Sequence, residues 1–299
     1  MDFSEDPKQL RDGESEAITI AFADLDGAVC GIARVGRALT PTGEMVSGLG
    51  LIFSGSEPRA VRAESSEEAD EPGVWAGASI AGVETEVHEP LKRWSVLFAS
   101  EDGQHGFDLE LVATTPPAAL EGHSKVARTG GMEGYEQLVT VTGTVTIDGQ
   151  DRDFSGLGQR GHSWGAPDWS SLTSARTIGI WQPDGRGMAI TSVRPKKAKS
   201  HVDELTHASL FAGADGDVVQ PHELRISTTY DAEGRQHNAG LEYLVSEGDE
   251  YERRASGDVA CGTTLDLGTL DLHCAFFTWL ADDGTRGVGR YDVLAAKPA

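Results

Sequence analysis

The chain reads as all-β: two tandem antiparallel β-barrel or sandwich domains with little helix. Three observations carry that reading. Short runs of β-rich residues, alternating or continuously apolar, recur from end to end of the 299 residues. Turns built on Asp-Gly and its neighbours separate them at near-regular spacing, the pattern of hairpins and not of alternating strand and helix. The length, finally, exceeds what one small β domain needs, and two domains of medium size account for it.

The elements follow in order. Ala17 to Ala23 and Val29 to Arg37 are strand runs around Asp24-Leu25-Asp26-Gly27, and Met45 to Ser54 is a third. Pro58 to Gly73 is polar, acidic and turn-rich, and reads as a surface loop. Ser79 to His88, Arg93 to Ala99 and Gly106 to Ala113 are strands, the last two joined by Glu101-Asp102-Gly103. Thr114 to Gly134 carries Pro116, Pro117, Gly122, Gly130 and Gly131 and reads as the interdomain linker, so residues 1–133 and 134–299 are expected to form the two domains. The second half opens with Gln137 to Ile147 and returns through Phe154 after Asp148-Gly149-Gln150. Further hairpins pair Thr177 to Gln182 with Met188 to Val193, Ala208 to Ala212 with Val218 to Gln220, Glu223 to Tyr230 with Asn238 to Val245, and Leu270 to Ala281 with Gly287 to Leu294. Helical turns are expected only within Pro195 to Leu205 and near Gly165 to Ala175.

Composition narrows the partners. Asp and Glu number 48 against 25 Lys and Arg, a formal charge of −23, with an isoelectric point near 4.6. Such a surface repels nucleic acid and anionic membrane. Spread along the whole chain, the acidic excess reads as adaptation to high salt, where screening weakens self-repulsion. That reading predicts loss of structure as salt is withdrawn, followed by circular dichroism; a chain that stays folded without salt is an ordinary acidic protein. Cys30, Cys261 and Cys274 are too far apart for a CxxC metal site and read as small buried hydrophobes. The first residues lack a basic and an apolar leader region, and no apolar run is long enough to span a bilayer, so a soluble, cytoplasmic chain is expected. Nothing in the pattern sets an oligomeric state.

One stretch concentrates reactive groups. Between Gly156 and Trp169, glycines alternate with Arg160, His162, Trp164, Asp168 and Trp169. Glycine permits close approach and positive φ, which lets several side chains converge. Gly156, Gly158 and Gly161 do not open a helix, and there is no Walker loop or GxSxG elbow, which sets aside nucleotide-dependent and α/β-hydrolase chemistry. His201, His207, His222, His237 and His273 match no metal-ligand spacing and read as scattered surface residues; no metal and no cofactor is expected.

Here the residues carry a resemblance. Val141 to Gly149, then Phe154-Ser155-Gly156, Gly161-His162-Ser163-Trp164-Gly165 and Gly179 to Gly185 resemble the central region of the two-domain lipocalin-like superfamily of hydroxyneurosporene synthase (carotenoid 1,2-hydratase), AttH-like proteins and archaeal and bacterial relatives. Glu89 to Trp94 and Phe107 to Leu111 are similar to strands of that group's N-terminal domain, so the likeness spans roughly residues 85 to 195. It implies two lipocalin-like barrels with the Gly-rich motif opening the second, near their junction. In the hydratase branch the His-x-Trp element is associated with the catalytic centre and maps onto His162 and Trp164. That group often has an acid immediately before the histidine, where this chain has Gly161; Asp168 is the nearest carboxylate within the motif.

The chemistry implied is acid-assisted. Hydrating, isomerising or cyclising a prenyl double bond begins with protonation by an acid whose pKa burial has raised, and aromatic faces stabilise the resulting cation. His162 and Asp168 are the catalytic candidates, with Trp164, Trp169, Trp181, Arg160, Glu136 and Gln137 as substrate-binding ones. Each has a structural competitor: His162 bonded to a backbone carbonyl, the tryptophans plugging barrel ends, Asp168 capping a helical turn, Arg160 and Asp168 paired across the domains. The functions in play are a cofactor-independent hydratase, isomerase or cyclase acting on a hydrophobic, isoprenoid- or carotenoid-like ligand, a lipid or terpenoid carrier with no chemistry, and a scaffold with filled barrels and no ligand.

Overall fold

Alternation dictates two large sheets. The computed structural model describes residues 3–66, 79–200, 203–213 and 216–297. The first sheet holds β1 (Ser15–Ala23), β2 (Val29–Thr40), β3 (Gly43–Ser54), β4 (Pro58–Ser66), β5 (Ser79–Ile80), β6 (Val83–Glu89), β7 (Arg93–Ala99), β8 (Gly106–Ala113), β9 (Ala118–Leu120), β10 (Met132–Ile147) and β11 (Gln150–Gly165), with α1 at Lys125–Gly130. Its order is β4-β3-β2-β1-β11-β10-β8-β7-β6-β5, with β9 alongside β10. The second holds β12 (Leu172–Trp181), β13 (Arg186–Pro195), β14 (Leu205–Ala212), β15 (Val218–Val219), β16 (Glu223–Tyr230), β17 (Gln236–Leu244), β18 (Arg253–Asp266), β19 (Leu270–Ala281) and β20 (Arg286–Ala296). These run in the order β15-β14-β13-β12-β20-β19-β18-β17-β16.

Both sheets curl on themselves, as tandem antiparallel barrels do. In the first, the Phe98 ring of β7 lies 2.0 Å from where a Cβ on Gly50 of β3 would stand, although five strands, β2, β1, β11, β10 and β8, stand between β3 and β7 in the sheet order. Ile18, Ile20 and Phe22 of β1 share that interior with Trp94, Leu109 and Val141. In the second, the hydroxyls of Thr228 on edge strand β16 and Tyr291 on β20 meet at 2.6 Å across an interior of Ile178, Ile190, Leu241 and Phe277. A third apolar cluster joins the barrels. Ala21, Ile32, Leu51 and Phe53, on the opposite faces of β1 to β3, meet Trp181, Phe211, Phe276 and Val288 of the second sheet. A strand buried on both faces must be apolar in both registers, and β1 reads Ala-Ile-Thr-Ile-Ala-Phe-Ala for that reason.

Several expectations are corrected. Pro58 to Ser66 is an edge strand, not a loop; the rest of that expected loop lies outside the described residues. The expected linker contains β9 and the one helix of the described residues, α1, capped by Ser124 at its start and by Gly131 at φ 68° at its end. The chain changes sheets between Gly165 and Leu172 and not at 133/134, because β10 and β11 pair with β8 and β1. The Gly-rich motif therefore ends the first sheet instead of opening the second. Its hairpin turn is as expected, with Asp148 and Gly149 both at positive φ, 53° and 71°. Strand β18 was not expected, and within Pro195 to Leu205 the described residues hold the end of β13, a turn, the 3₁₀ residue Asp203 and the start of β14. No helix among the described residues is long and apolar enough to cross a membrane. All three cysteines are buried.

Candidate functional site between the barrels

The register of β10, β11, β1 and β2 sets the site. Glu136 faces Gly161, Gly161 faces Thr19, and Thr19 faces Arg34, so these four residues form one row across the first sheet. Their face is the one turned toward the second sheet, since His162, one residue on, pairs with Ile18 of the first barrel's interior. Opposite them, Arg290, Asp292 and Leu294 of β20 lie on one face, while Tyr291 and Val293 point into the second barrel. Between the two faces is a cavity of about 800 Å³. Ile32, Leu49, Leu172, Val193, Leu272 and Leu294 give it apolar walls, and Trp169 lies against it.

Three ionisable side chains converge there. Arg290 lies 3.9 Å from Glu136 and 3.7 Å from Asp292, too far for hydrogen bonds, and its Nε and Nη1, Glu136 Oε2 and Asp292 Oδ1 are buried without a hydrogen-bond partner. Buried polar atoms are rarely left so, and a cluster of them around a cavity is provision for a ligand or water. Burial pushes the Asp292 carboxyl up to about 6, against the pull of Arg290 and the Ala275 N–H and with help from Glu136. His207, also in the wall, donates from Nε2 to Ala119 O (3.0 Å), and burial lowers its pKa; it is not a surface histidine.

Gly161 makes room for Glu136. A Cβ at position 161 would stand 2.4 Å from Glu136 Oε2, so the carboxylate occupies the space a side chain there would need. A carboxylate from the neighbouring strand thus lies beside position 161, on the cavity side of the sheet. Gly161→Ala is expected to displace that flexible carboxylate at a cost of about 1 kcal/mol or less in stability while turnover of a bound substrate falls. Thermal melts and turnover measured on the same preparation check this, and a variant that keeps full activity would show that the carboxylate's position is immaterial.

The expected site residues are split between this cavity and the mouth of the first barrel. His162 borders the cavity wall but its ring is buried on the barrel side. With Glu16 ionised, Nε2 donates to Glu16 Oε1 at 2.6 Å, and Nδ1 lies 3.4 Å from the Tyr135 hydroxyl. Burial raises the Glu16 pKa, but hydrogen bonds from His162, Arg37 and the Lys8 N–H outweigh it and leave the carboxyl below its ordinary value. Arg160 pairs with Glu5 and lies over the Trp94 ring, not with Asp168. Glu5 also accepts from Trp94 Nε1 and the Leu91 N–H, both at 3.0 Å, so the N-terminal segment closes this mouth. Trp164 packs edge-on against His162 beneath the Lys8 ammonium. Asp168 is exposed, and Ser170 holds its carboxylate below the usual range by side-chain and backbone hydrogen bonds; it is no buried acid and caps a turn, not a helix. Trp181 lies in the apolar seam between the sheets, donating to Gln159 at 3.1 Å. Gln137 donates to the carbonyls of Leu91 and Thr115. Of the expected set, Glu136 and Trp169 line the cavity with side chains free to meet a ligand, while Asp292, Arg290 and Arg34 were not singled out.

Fold and site together define a two-barrel all-β protein with a ligand-sized cavity between its barrels. The chain belongs to the DUF7064 family, a domain of unknown function, whose family model matches residues 3–296. No curated protein sequence matches it. Its fold is similar to that of three solved proteins at low identity. An AttH candidate from Nitrosomonas europaea superposes with a TM-score of 0.65 at 12% identity, over 95% of this chain and 92% of that one. Kievitone hydratase from Nectria haematococca gives 0.60 at 11%, over 95% and 89%. CghA, solved with Sch210972, gives 0.59 at 14%, over 95% and 89%.

Proposed function

We propose that the chain binds a hydrophobic small molecule between its barrels and catalyses acid-assisted hydration, isomerisation or cyclisation there. The observation that carries this is the convergence of Asp292, Arg290 and Glu136, with unpartnered buried atoms, on an otherwise largely apolar cavity. That one structural neighbour is named a hydratase supports the reaction class.

In hydration, protonated Asp292 gives its proton to one carbon of a double bond. The π electrons form the new C–H bond and leave a carbocation on the other carbon. Water adds to that carbon and loses a proton to the Glu136 carboxylate, which releases it to solvent as Asp292 takes one up, so both groups are restored. Arg290 orients both carboxyl groups, and the Trp169 face stabilises the cation. In isomerisation the cation instead loses a proton from a neighbouring carbon to Glu136; in cyclisation a second double bond attacks it, and the new cation loses a proton to Glu136 in the same way. Mass spectrometry of hydrophobic molecules extracted from the protein purified from its native host identifies the ligand. Turnover of that ligand by wild type, lost in Asp292→Asn with binding kept, is the expected result. Binding without turnover by wild type makes the protein a carrier and overturns the catalytic reading.

A further inference from the structure

Four arginines that reach into this molecule each have a carboxylate within 4.0 Å: Arg37 with Glu16, Arg160 with Glu5, Arg176 with Glu204, and Arg290 with Glu136 and Asp292. Arg34 breaks the pattern. It lies in the cavity wall, on the row that runs through Thr19 and Gly161 to Glu136. Its Nη1 donates to Ser47 Oγ at 3.3 Å, and among the described residues no carboxylate lies within 4.0 Å of it. Gly36 receives the guanidinium: a Cβ there would stand 2.8 Å from Arg34 Nη1 and 3.0 Å from Ser47 Oγ, so the cation is seated in a slot that a larger residue would fill. Burial, with no opposing carboxylate, lowers the Arg34 pKa from its ordinary value. A guanidinium held in an apolar cavity without a counter-ion is costly unless a ligand supplies one.

We propose that Arg34 anchors a carboxylate on the ligand, so that the molecule bound between the barrels is an amphipathic acid and not a neutral hydrocarbon. This rests on the cavity being the ligand site, as proposed above. The guanidinium offers a planar fork to the two carboxylate oxygens. Three strand spacings of about 4.8 Å separate Arg34 from Glu136, so an acid held at Arg34 lays its apolar chain along the wall toward Glu136, Arg290 and Asp292. In a chain of net charge −23 an anion is repelled by the surface at large, which makes an unneutralised inward cation the feature that selects it.

The fluorescent polyene cis-parinaric acid and its methyl ester, titrated at pH 8 into the full chain, separate the possibilities. Wild type is expected to bind the acid about ten- to a hundredfold more tightly than the ester, the range of a charge-assisted hydrogen bond. Arg34→Met, with its fold verified by circular dichroism, is expected to bind both at the ester's affinity. Arg34→Lys, which keeps the charge and loses the fork, is expected to keep a reduced preference, and covers the case in which the methionine variant does not fold. Equal binding of acid and ester by wild type, or a preference that survives in Arg34→Met, overturns the anchor and leaves the cavity as a ligand site. Binding of neither overturns the anchor and the ligand site together.

Discussion

Glu16→Gln is expected to destabilise the protein by about 3–5 kcal/mol at pH 7, the cost of removing one member of a buried ion pair. Glu16 Oε1 accepts from His162 at 2.6 Å, Oε2 accepts from Arg37 at 2.6 Å, and both oxygens accept from the Lys8 N–H at 3.0 Å. A neutral amide keeps the shape, turns one acceptor into a donor facing donors, and removes the nearer of the two carboxylates that face Arg37, leaving Glu44 at 3.3 Å. Lys8 and Glu5 belong to the segment that closes the first barrel's mouth, so the substitution is also expected to loosen residues near the N-terminus. The sign of the pH dependence follows from the lowered carboxyl pKa. A depressed carboxyl contributes stability that is present above its unfolded pKa, near 4.5, and is lost as pH falls through the folded value. The gap between wild type and Glu16→Gln, measured by urea unfolding, should therefore be full at pH 7 and close as pH falls below 4.5. Equal stability at pH 7 would show that the pair contributes nothing net.

The same residues show why the sequence disclosed the fold better than the site. The hairpin at Asp148 and Gly149, both at positive φ, announced itself, whereas the one at Ala81 and Gly82, φ 57° and 69°, did not, and Ser79 to His88 read as one strand where β5 and β6 pair. Edge strand β4 did not, because one of its faces meets solvent and its charges, Arg59, Arg62 and Glu64, read as loop. Strand β18 was hidden by small residues, Gly257, Ala260 and Gly262, that give no apolar alternation. Helix α1 was hidden by its brevity among prolines and glycines. The site was lost to a different ambiguity. In Arg290-Tyr291-Asp292-Val293 the period of two says only that Arg290 and Asp292 share a face; it does not say whether that face meets water or a second sheet. Likewise the carboxylate nearest to position 161 was sought along the chain, at Asp168, whereas Glu136 reaches that position from across a strand pair, 25 residues away in sequence. The motif around His162 was legible as something unusual, but a glycine in a strand also serves close packing: Gly156 and Gly158 approach the carbonyls of Ala23 and Ala21.

Asp292→Asn separates function from stability at that site. Burial raises its folded pKa to about 6, from an ordinary 3.8. A proton is therefore held by the folded state between those two values and not by the unfolded chain, so stability falls as pH rises through that window and the whole penalty of the buried carboxylate is present above pH 6. The shift corresponds to at most about 3 kcal/mol, and Arg290, whose own charge then has Glu136 alone, reduces what its removal returns. The asparagine variant is expected to melt higher than wild type at pH 8 and to lose that advantage at pH 5. Turnover moves the other way. With the proposed proton donor gone it is expected to fall by about a hundredfold or more, whereas Asp168→Ala, on an exposed turn, is expected to leave both melting and turnover unchanged. In wild type, turnover should decline as pH rises through 6, because only the protonated acid can start the reaction. A donor at His162 instead predicts loss of activity in a variant there with the Asp292→Asn rate intact, and that result would move the chemistry from the cavity to the barrel mouth. A gain in stability on losing the acid is the mark of a group retained for its chemistry, since a purely structural carboxylate between Arg290 and the Ala275 N–H would be missed at every pH.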